Sequence, residues 1–232
     1  MKIAALLTGK KYSTLKTKNF IKISGKPVCF YPAFAASKSK FIKKFYASSD
    51  SKKILDICFK LGYKKINRPK KLSSSKAKHI DVIKHSLKFM KEKQNYTPDL
   101  LIVLLANSPT IKTTWIDNCI KKILNNQSVT SVVPVVNNND HHPFRAKKIS
   151  RNYLVPFFKK IKVSSNRQDL PNSYFLGHNF WVLRTKEIYR NKGFGPWSFM
   201  GKKTLPFVLE EIIDIHSKED IGRCEKWLKN FF

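Results

Sequence analysis

Acidic side chains are scarce in this 232-residue chain, with 15 Asp and Glu against 46 Lys and Arg and a formal net charge of +31. Arginine is scarce as well, confined to positions 68, 145, 151, 167, 184, 190 and 223. Specific nucleic-acid recognition favours the bidentate Arg fork, so a charge carried mostly by Lys argues against that function despite its size. The Lys residues are spread along the whole chain in doublets rather than gathered in one block, as expected of a solvated surface that also draws in small anions. Long apolar runs are missing: none approaches the ~20 residues that a membrane-spanning helix needs. The apolar stretch in Met1–Leu7 is too short for a secretory signal and no small-residue cleavage site follows it. Cys29, Cys58, Cys119 and Cys224 stand singly, without CxxC or zinc spacing. Reduced thiols and a cytoplasmic location are therefore expected.

What the chain does contain is enough apolar material for a core. Hydrophobic residues make up 42%, aromatics 12%, and 17 Phe are present. Burial on that scale offsets chain entropy and excludes wholesale disorder. The length suits a single domain over residues 1–232.

Ile3–Leu7 is wholly apolar and ends in Thr8-Gly9, the pattern of a buried strand feeding a loop. Phe45–Asp50 repeats that form, with a helix expected from about Ser51 to Leu61. Leu100–Leu105 and Val129–Val136 read as further buried strands. Between them, Ile80, Ile83, Leu87 and Met90, and then Ile116, Ile120, Ile123 and Leu124, fall at helical spacing. Alternation of this kind predicts an α/β fold, a mostly parallel Rossmann-like sheet with helices on both faces. Ligands of such sheets sit beyond the carboxyl ends of the strands, where Thr8-Gly9, Ser48-Ser49-Asp50 and Asn107-Ser108 would converge. From about residue 145 to 205 the sequence is aromatic-rich and punctuated by Pro, and reads as an irregular, protruding insertion. A last helix is expected from about Ser217.

The first loop, Thr8 to Asn19, combines small residues with Lys10, Lys11, Lys16 and Lys18. Backbone N–H groups and ammonium groups placed together suit a triphosphate. The loop is neither a Walker loop nor a GxGxxG dinucleotide loop, because the further glycines are missing. A merely basic surface loop stays open as the plainer reading.

In order along the chain, this loop with Lys18-Asn19, Ser24-Gly25-Lys26-Pro27, Ala47-Ser48-Ser49-Asp50, Arg68-Pro69 with Leu72, Leu104–Pro109, Val132–Val135 with His141-His142-Pro143, Arg167–Pro171, and Asp214-Ile215-His216 with Glu219-Asp220 resemble the CMP-sugar synthetases. These are the cytidylyltransferases that activate sialic and related nonulosonic acids. The resemblance implies a nucleotide-diphospho-sugar transferase type of fold, with the insertion serving dimerisation. It implies CTP and an acidic sugar as substrates, Mg²⁺ as cofactor, a homodimer, and a role in cell-surface polysaccharide biosynthesis. It implies nucleotide binding by Thr8, Gly9, Lys10, Ser13, Lys18, Asn19, Arg68, Asn107 and Ser108. Arg145, Arg167, Gln168 and Asn179 would meet the sugar, whose carboxylate a guanidinium binds through two parallel bonds. Lys18, Arg167 and Asp214 would carry the catalysis, and Asp214 would hold the cation. His216 stands where the family has a second metal-binding Asp, and nitrogen is a poor ligand for magnesium. A different acidic acceptor, or a non-catalytic Lys-rich protein that binds polyanions, remains an alternative.

Plainer roles stand beside several of these residues. His141-His142-Pro143 is favoured as a structural turn over a metal site, and His79 and His85 as surface or packing residues. Arg167 would also suit an ion pair with Asp169 or Glu211. Asp214 and Asp220 suit the start of the last helix. Phe194, Trp197, Phe199 and Met200 suit either core or a dimer contact.

Overall fold

Ile3–Gly9 forms strand β1, buried along its whole length because side chains alternate between two covered faces. The computed structural model describes residues 1–11, 18–159 and 161–230. After β1 come a small hairpin of β2 (Lys22–Ile23) and β3 (Lys26–Pro27), then helix α1 (Phe30–Ser37). The chain continues through β4 (Lys44–Ser49), α2 (Lys52–Phe59), β5 (Lys64–Asn67), α3 (His79–Gln94), β6 (Leu100–Leu105), α4 (Thr113–Leu124) and β7 (Ser131–Asn137). An outlying hairpin of β8 (Lys147–Ser150) and β9 (Tyr153–Pro156) follows. Then β10 (Tyr174–Leu176), β11 (Phe180–Arg184), α5 (Thr185–Arg190), β12 (Thr204–Leu209) and α6 (Glu219–Lys229) complete the fold.

The main sheet runs β5–β4–β1–β6–β11–β7, with β10 also on β7 and β12 pairing β7 in parallel. Its strands are parallel except for β10 and β11, which run antiparallel to their neighbours. One face carries Ile3, Ala5 and Leu7 of β1 against α1, α2 and α4. The opposite face carries Ala4 and Leu6 against Ile83, Leu87 and Met90 of α3 and Ile188 of α5. This is the three-layer arrangement expected from the alternation of strands and helices. Each fully buried Leu or Ile contributes about 1.5–3 kcal/mol. A third apolar cluster joins Ile23, Val28 and Tyr31 to Ile213, Ile215, Trp227 and Leu228 beside α6. Among the described residues no helix is long and apolar enough to cross a membrane.

The stretch expected to be irregular over 145–205 divides in two. The β8–β9 hairpin protrudes, with Ile149, Tyr153 and Leu154 exposed. Residues 174–209 instead return to the main sheet through β10, β11 and β12, and Phe199 and Met200 are buried in the α3 face. The sequence hides this because β10 and β11 are one strand broken by Gly177-His178-Asn179. Leu176 pairs with Val135 while Val182 pairs with Val132, so the break holds extra residues, a bulge. The Trp181 indole N–H donates to the Gly177 carbonyl across it at 2.9 Å.

Candidate active site

Strand β1 lies between β4 and β6, so the loops leaving it and β6 part toward opposite sides and open a cleft at their carboxyl ends. The cleft has a volume of about 230 Å³ and is lined by Thr8, Gly9, Lys10, Lys18, Asn19, Arg68, Ala77, His79, Val82, Leu105, Ala106 and Asn107. Seven of the residues expected from the sequence to hold a nucleotide are in that lining: Thr8, Gly9, Lys10, Lys18, Asn19, Arg68 and Asn107. Gly9 is required by proximity: a Cβ there would sit 2.8 Å from the Ala106 Cβ and 3.1 Å from Ile54 Cδ1.

Three cations converge here. The Lys18 ammonium is buried and donates to the Ile215 carbonyl at 2.8 Å. Burial pushes its pKa down, opposed by Asp214 and Asp220 nearby. Lys10 reaches across to the Ser74 carbonyl at 2.7 Å, and burial followed by the Arg68 charge pushes it down too. Arg68, 7% exposed, donates from NH2 to the Ser48 carbonyl at 2.6 Å, and burial pushes it down to about 10. Among the described residues none of the three is ion-paired. Concentrated positive charge without a carboxylate in contact favours an anionic ligand. Asn19 donates through Nδ2 to the Lys10 carbonyl at 2.8 Å, while its buried Oδ1 has no partner among the described residues, an unmet acceptor on the cleft wall.

The C-terminal segment closes the site from the β6 side. The Ile215 N–H donates to the Asn107 carbonyl at 2.9 Å, and Asn107 Nδ2 lies 3.4 Å from Asp214 Oδ2. His216 Nε2 is 2.6 Å from the same carboxylate oxygen. Ser108 is fully buried and its hydroxyl donates to the Ile213 carbonyl at 3.1 Å, so it ties this segment down rather than lining the cleft. Asp220 accepts from the backbone N–H groups of His216 and Ser217, the helix-start role open to it from sequence. Burial pushes its carboxyl up, but those bonds and Arg223 outweigh burial and hold it below the usual range.

For a divalent cation the donor chemistry is limited. Among the described residues no group of three or more His, Cys, Asp or Glu side chains is placed to hold a metal. Asp214 offers a carboxylate oxygen beside the cleft, with the Asn107 amide as its neighbour. That set fits a magnesium ion bound through one carboxylate and substrate phosphates, the usual manner for this ion. His216, engaged with Asp214 through Nε2, is not needed in it.

The residues expected to meet a sugar acid are placed differently. Arg145, Arg167 and Gln168 are exposed and do not line the cleft. Arg167 is ion-paired at 2.6 Å, with Asp140 rather than with Asp169 or Glu211. Its bond and charge, with His141 and Arg145 adding, hold the Asp140 carboxyl below its ordinary value. Asn179 is fully buried in the β10–β11 bulge, accepting from the Phe180 N–H at 2.9 Å, and is closed to a ligand here. Ser13 lies outside the described residues. His142 makes the structural turn expected of it, with Nδ1 accepting from the Phe144 N–H and Nε2 3.0 Å from the Pro171 carbonyl.

Ala77, His79 and Val82 of the lining escaped the sequence, and His79 is the polar one. His79, expected at the surface or in packing, opens α3 inside the cleft with its Nε2 3.0 Å from Thr8 Oγ1. A lone His at a helix start carries no motif, and Thr8 is 71 positions away.

The model of a family described as "Cytidylyltransferase" matches residues 13–196. The chain is 23% identical over 210 residues to an N-acylneuraminate cytidylyltransferase of Streptococcus agalactiae serotype V, covering 89% of this chain and 48% of that protein. It is 26% identical over 222 residues to the post-translational flagellin modification protein B of Campylobacter coli, covering 93% and 89%. A bifunctional pseudaminic acid cytidylyltransferase of Helicobacter pylori, also named as a UDP-sugar hydrolase, is 25% identical over 173 residues, covering 74% and 32%. The chain thus spans about half the length, or less, of several relatives it matches. Among solved structures, a CMP:2-keto-3-deoxy-manno-octonic acid synthetase complexed with CTP superposes with a TM-score of 0.70 at 11% identity, covering 100% of both chains. A 4-diphosphocytidyl-2C-methyl-D-erythritol synthase from Anaerococcus prevotii gives 0.64 at 16% identity, covering 98% of this chain and 96% of that one. At such identities these structures establish the fold alone. With four-fifths of the sequence matched by the family model and the nucleotide-type residues gathered in one cleft, the chain belongs to the cytidylyltransferase family.

Proposed function

We propose that this protein transfers a cytidylyl group from CTP to a hydroxyl of an acidic sugar of the nonulosonic type, releasing pyrophosphate. The observation that carries this reading is the meeting of Lys10, Lys18 and Arg68, none ion-paired among the described residues, in a cleft beside Asp214. The names of the N-acylneuraminate and pseudaminic acid relatives support the acceptor class.

Transfer of this kind is chiefly positioning and electrostatics, with no protein nucleophile required. The backbone after Gly9 and the ammonium groups of Lys10 and Lys18 bind the phosphates and stabilise charge that grows on the leaving pyrophosphate. Lys18 is the strongest candidate for that work, since its ammonium is desolvated and fixed in place by the Ile215 carbonyl. Asp214, oriented by Asn107, would hold Mg²⁺, which when bound neutralises phosphate charge and lowers the pKa of a coordinated hydroxyl. Arg145, Arg167 and Gln168 bind the sugar's carboxylate and polar groups in this reading. The exposed apolar residues of the β8–β9 hairpin support a homodimer in which such residues reach a neighbouring cleft. The four free, buried thiols suit a reducing cytoplasm.

Magnesium-dependent pyrophosphate release, measured with each of the four nucleoside triphosphates against a panel of nonulosonic acids, tests the proposal. Turnover should occur with CTP and at least one such acid, and Asp214→Ala should lower it by roughly a hundredfold or more while the protein stays folded. Absence of turnover with every acid, or full activity of Asp214→Ala, would reject it.

A further inference from the structure

The cleft is chemically two-sided. Lys10, Lys18 and Arg68 bring charge suited to phosphates, whereas Ala77, Val82 and Leu105 bring apolar surface suited to the flat face of a base. His79 stands with the apolar group. Its ring rests 5.3 Å from the ring of the fully buried Trp181, so its orientation is fixed by packing. On its other side Nε2 is 3.0 Å from the Thr8 hydroxyl oxygen. That hydroxyl has a single proton, and its own acceptor, the Leu104 carbonyl, lies 3.4 Å away. With the Thr8 proton on Leu104, Nε2–H donates to Thr8 Oγ1, and Nδ1 keeps its lone pair. No hydrogen bond among the described residues uses Nδ1.

We propose that His79 reads the base of the bound nucleotide, its Nδ1 accepting from the exocyclic amino group that distinguishes cytosine from uracil. Uracil carries a carbonyl oxygen at that place, which would set lone pair against lone pair. A proton on Nδ1 would reverse the preference. Burial, with the charges of Arg68, His178 and Lys10 adding, pushes the imidazole down to about 4, so at neutral pH the ring holds a single proton, on Nε2 when the Thr8 hydroxyl donates to Leu104. His79 thus acts as a specificity-determining residue in a site whose charged groups treat all nucleoside triphosphates alike. The inference rests on the cytidylyl reading of the cleft.

Calorimetric titration of the intact protein with CTP and with UTP, without acceptor, separates the two ideas. The wild type should bind CTP roughly tenfold more tightly than UTP, the discrimination one neutral hydrogen bond supplies. His79→Phe should bring that ratio near one, weakening CTP and removing the lone-pair repulsion that UTP meets. His79→Asn, whose Oδ1 can replace Nδ1 as acceptor, should restore much of the preference. Thermal unfolding of each variant checks that it is folded. Equal weakening of both nucleotides by His79→Phe, an unchanged ratio, or a wild-type preference for UTP each overturns the role of His79. A wild type that binds neither nucleotide overturns the cytidylyl reading with it.

Discussion

His79 gives the clearest consequence of burying a titratable side chain in this molecule. Its imidazole is held at about 4 in the native state, against about 6.5 in an unfolded chain. Between those values the unfolded chain binds a proton that the native one does not, so stability rises with pH across the window. Acidification from pH 7 to pH 4 should therefore remove up to about 3 kcal/mol through this residue. Urea unfolding of wild type and His79→Phe at several pH values checks it: the wild type should lose more between pH 6.5 and 4, whereas parallel curves would show a native imidazole that protonates freely. The site's other residues were legible because their motifs are local. Thr8-Gly9-Lys10, Lys18-Asn19 and Asn107 each follow a strand or its loop closely enough for chemistry and position to be read together, while Arg68 was legible through the Arg68-Pro69 segment that resembles the family. His79 was not, because its meaning comes from α3 lying against β1. Ser108 was legible as a polar residue at a strand end and Asn179 only through the resemblance, and packing shows that their side chains are spent on the fold.

Among the elements, β1, β6 and β7 announce themselves as apolar runs because both faces are covered. Strand β5 does not: of Lys64–Asn67 only Ile66 is buried, the mark of a Lys-protected edge. Strand β12 is hidden by Pro206, which an edge strand tolerates. The close approach of the β1 end to the loop after β6 makes a testable claim. Gly9→Ala would place its methyl 2.8 Å from the Ala106 Cβ, too near for either backbone to stay in place. The variant should lose about 1–3 kcal/mol of stability. It should also bind CTP at least several-fold more weakly, because Thr8, Lys10 and Asn107 all shift with that junction. A variant with wild-type stability and affinity would mean that the two ends yield freely.

For the molecule as a whole, the β8–β9 hairpin is the feature that a lone subunit does not explain. Ile149, Tyr153 and Leu154 are 79%, 74% and 71% exposed on a two-stranded ribbon, which water stabilises poorly. Sedimentation should find a dimer, and Ile149→Glu with Leu154→Glu should convert it to a monomer that still binds CTP. A monomeric wild type would refute the proposed role of the hairpin in self-association. The net charge of +31 is no obstacle to such pairing, since Ile149 and Leu154 stand directly opposite each other on the hairpin and ionic repulsion across the remaining surface is screened within about 10 Å at ordinary salt.

The bond from Lys18 to Ile215 joins residues 197 positions apart. During synthesis the ribosome must therefore deliver the chain through Ile215 before the phosphate end of the cleft can close. The nascent chain can pair β1, β4 and β6 well before then, yet it gains affinity for nucleotide only when the segment around Ile215 emerges and docks.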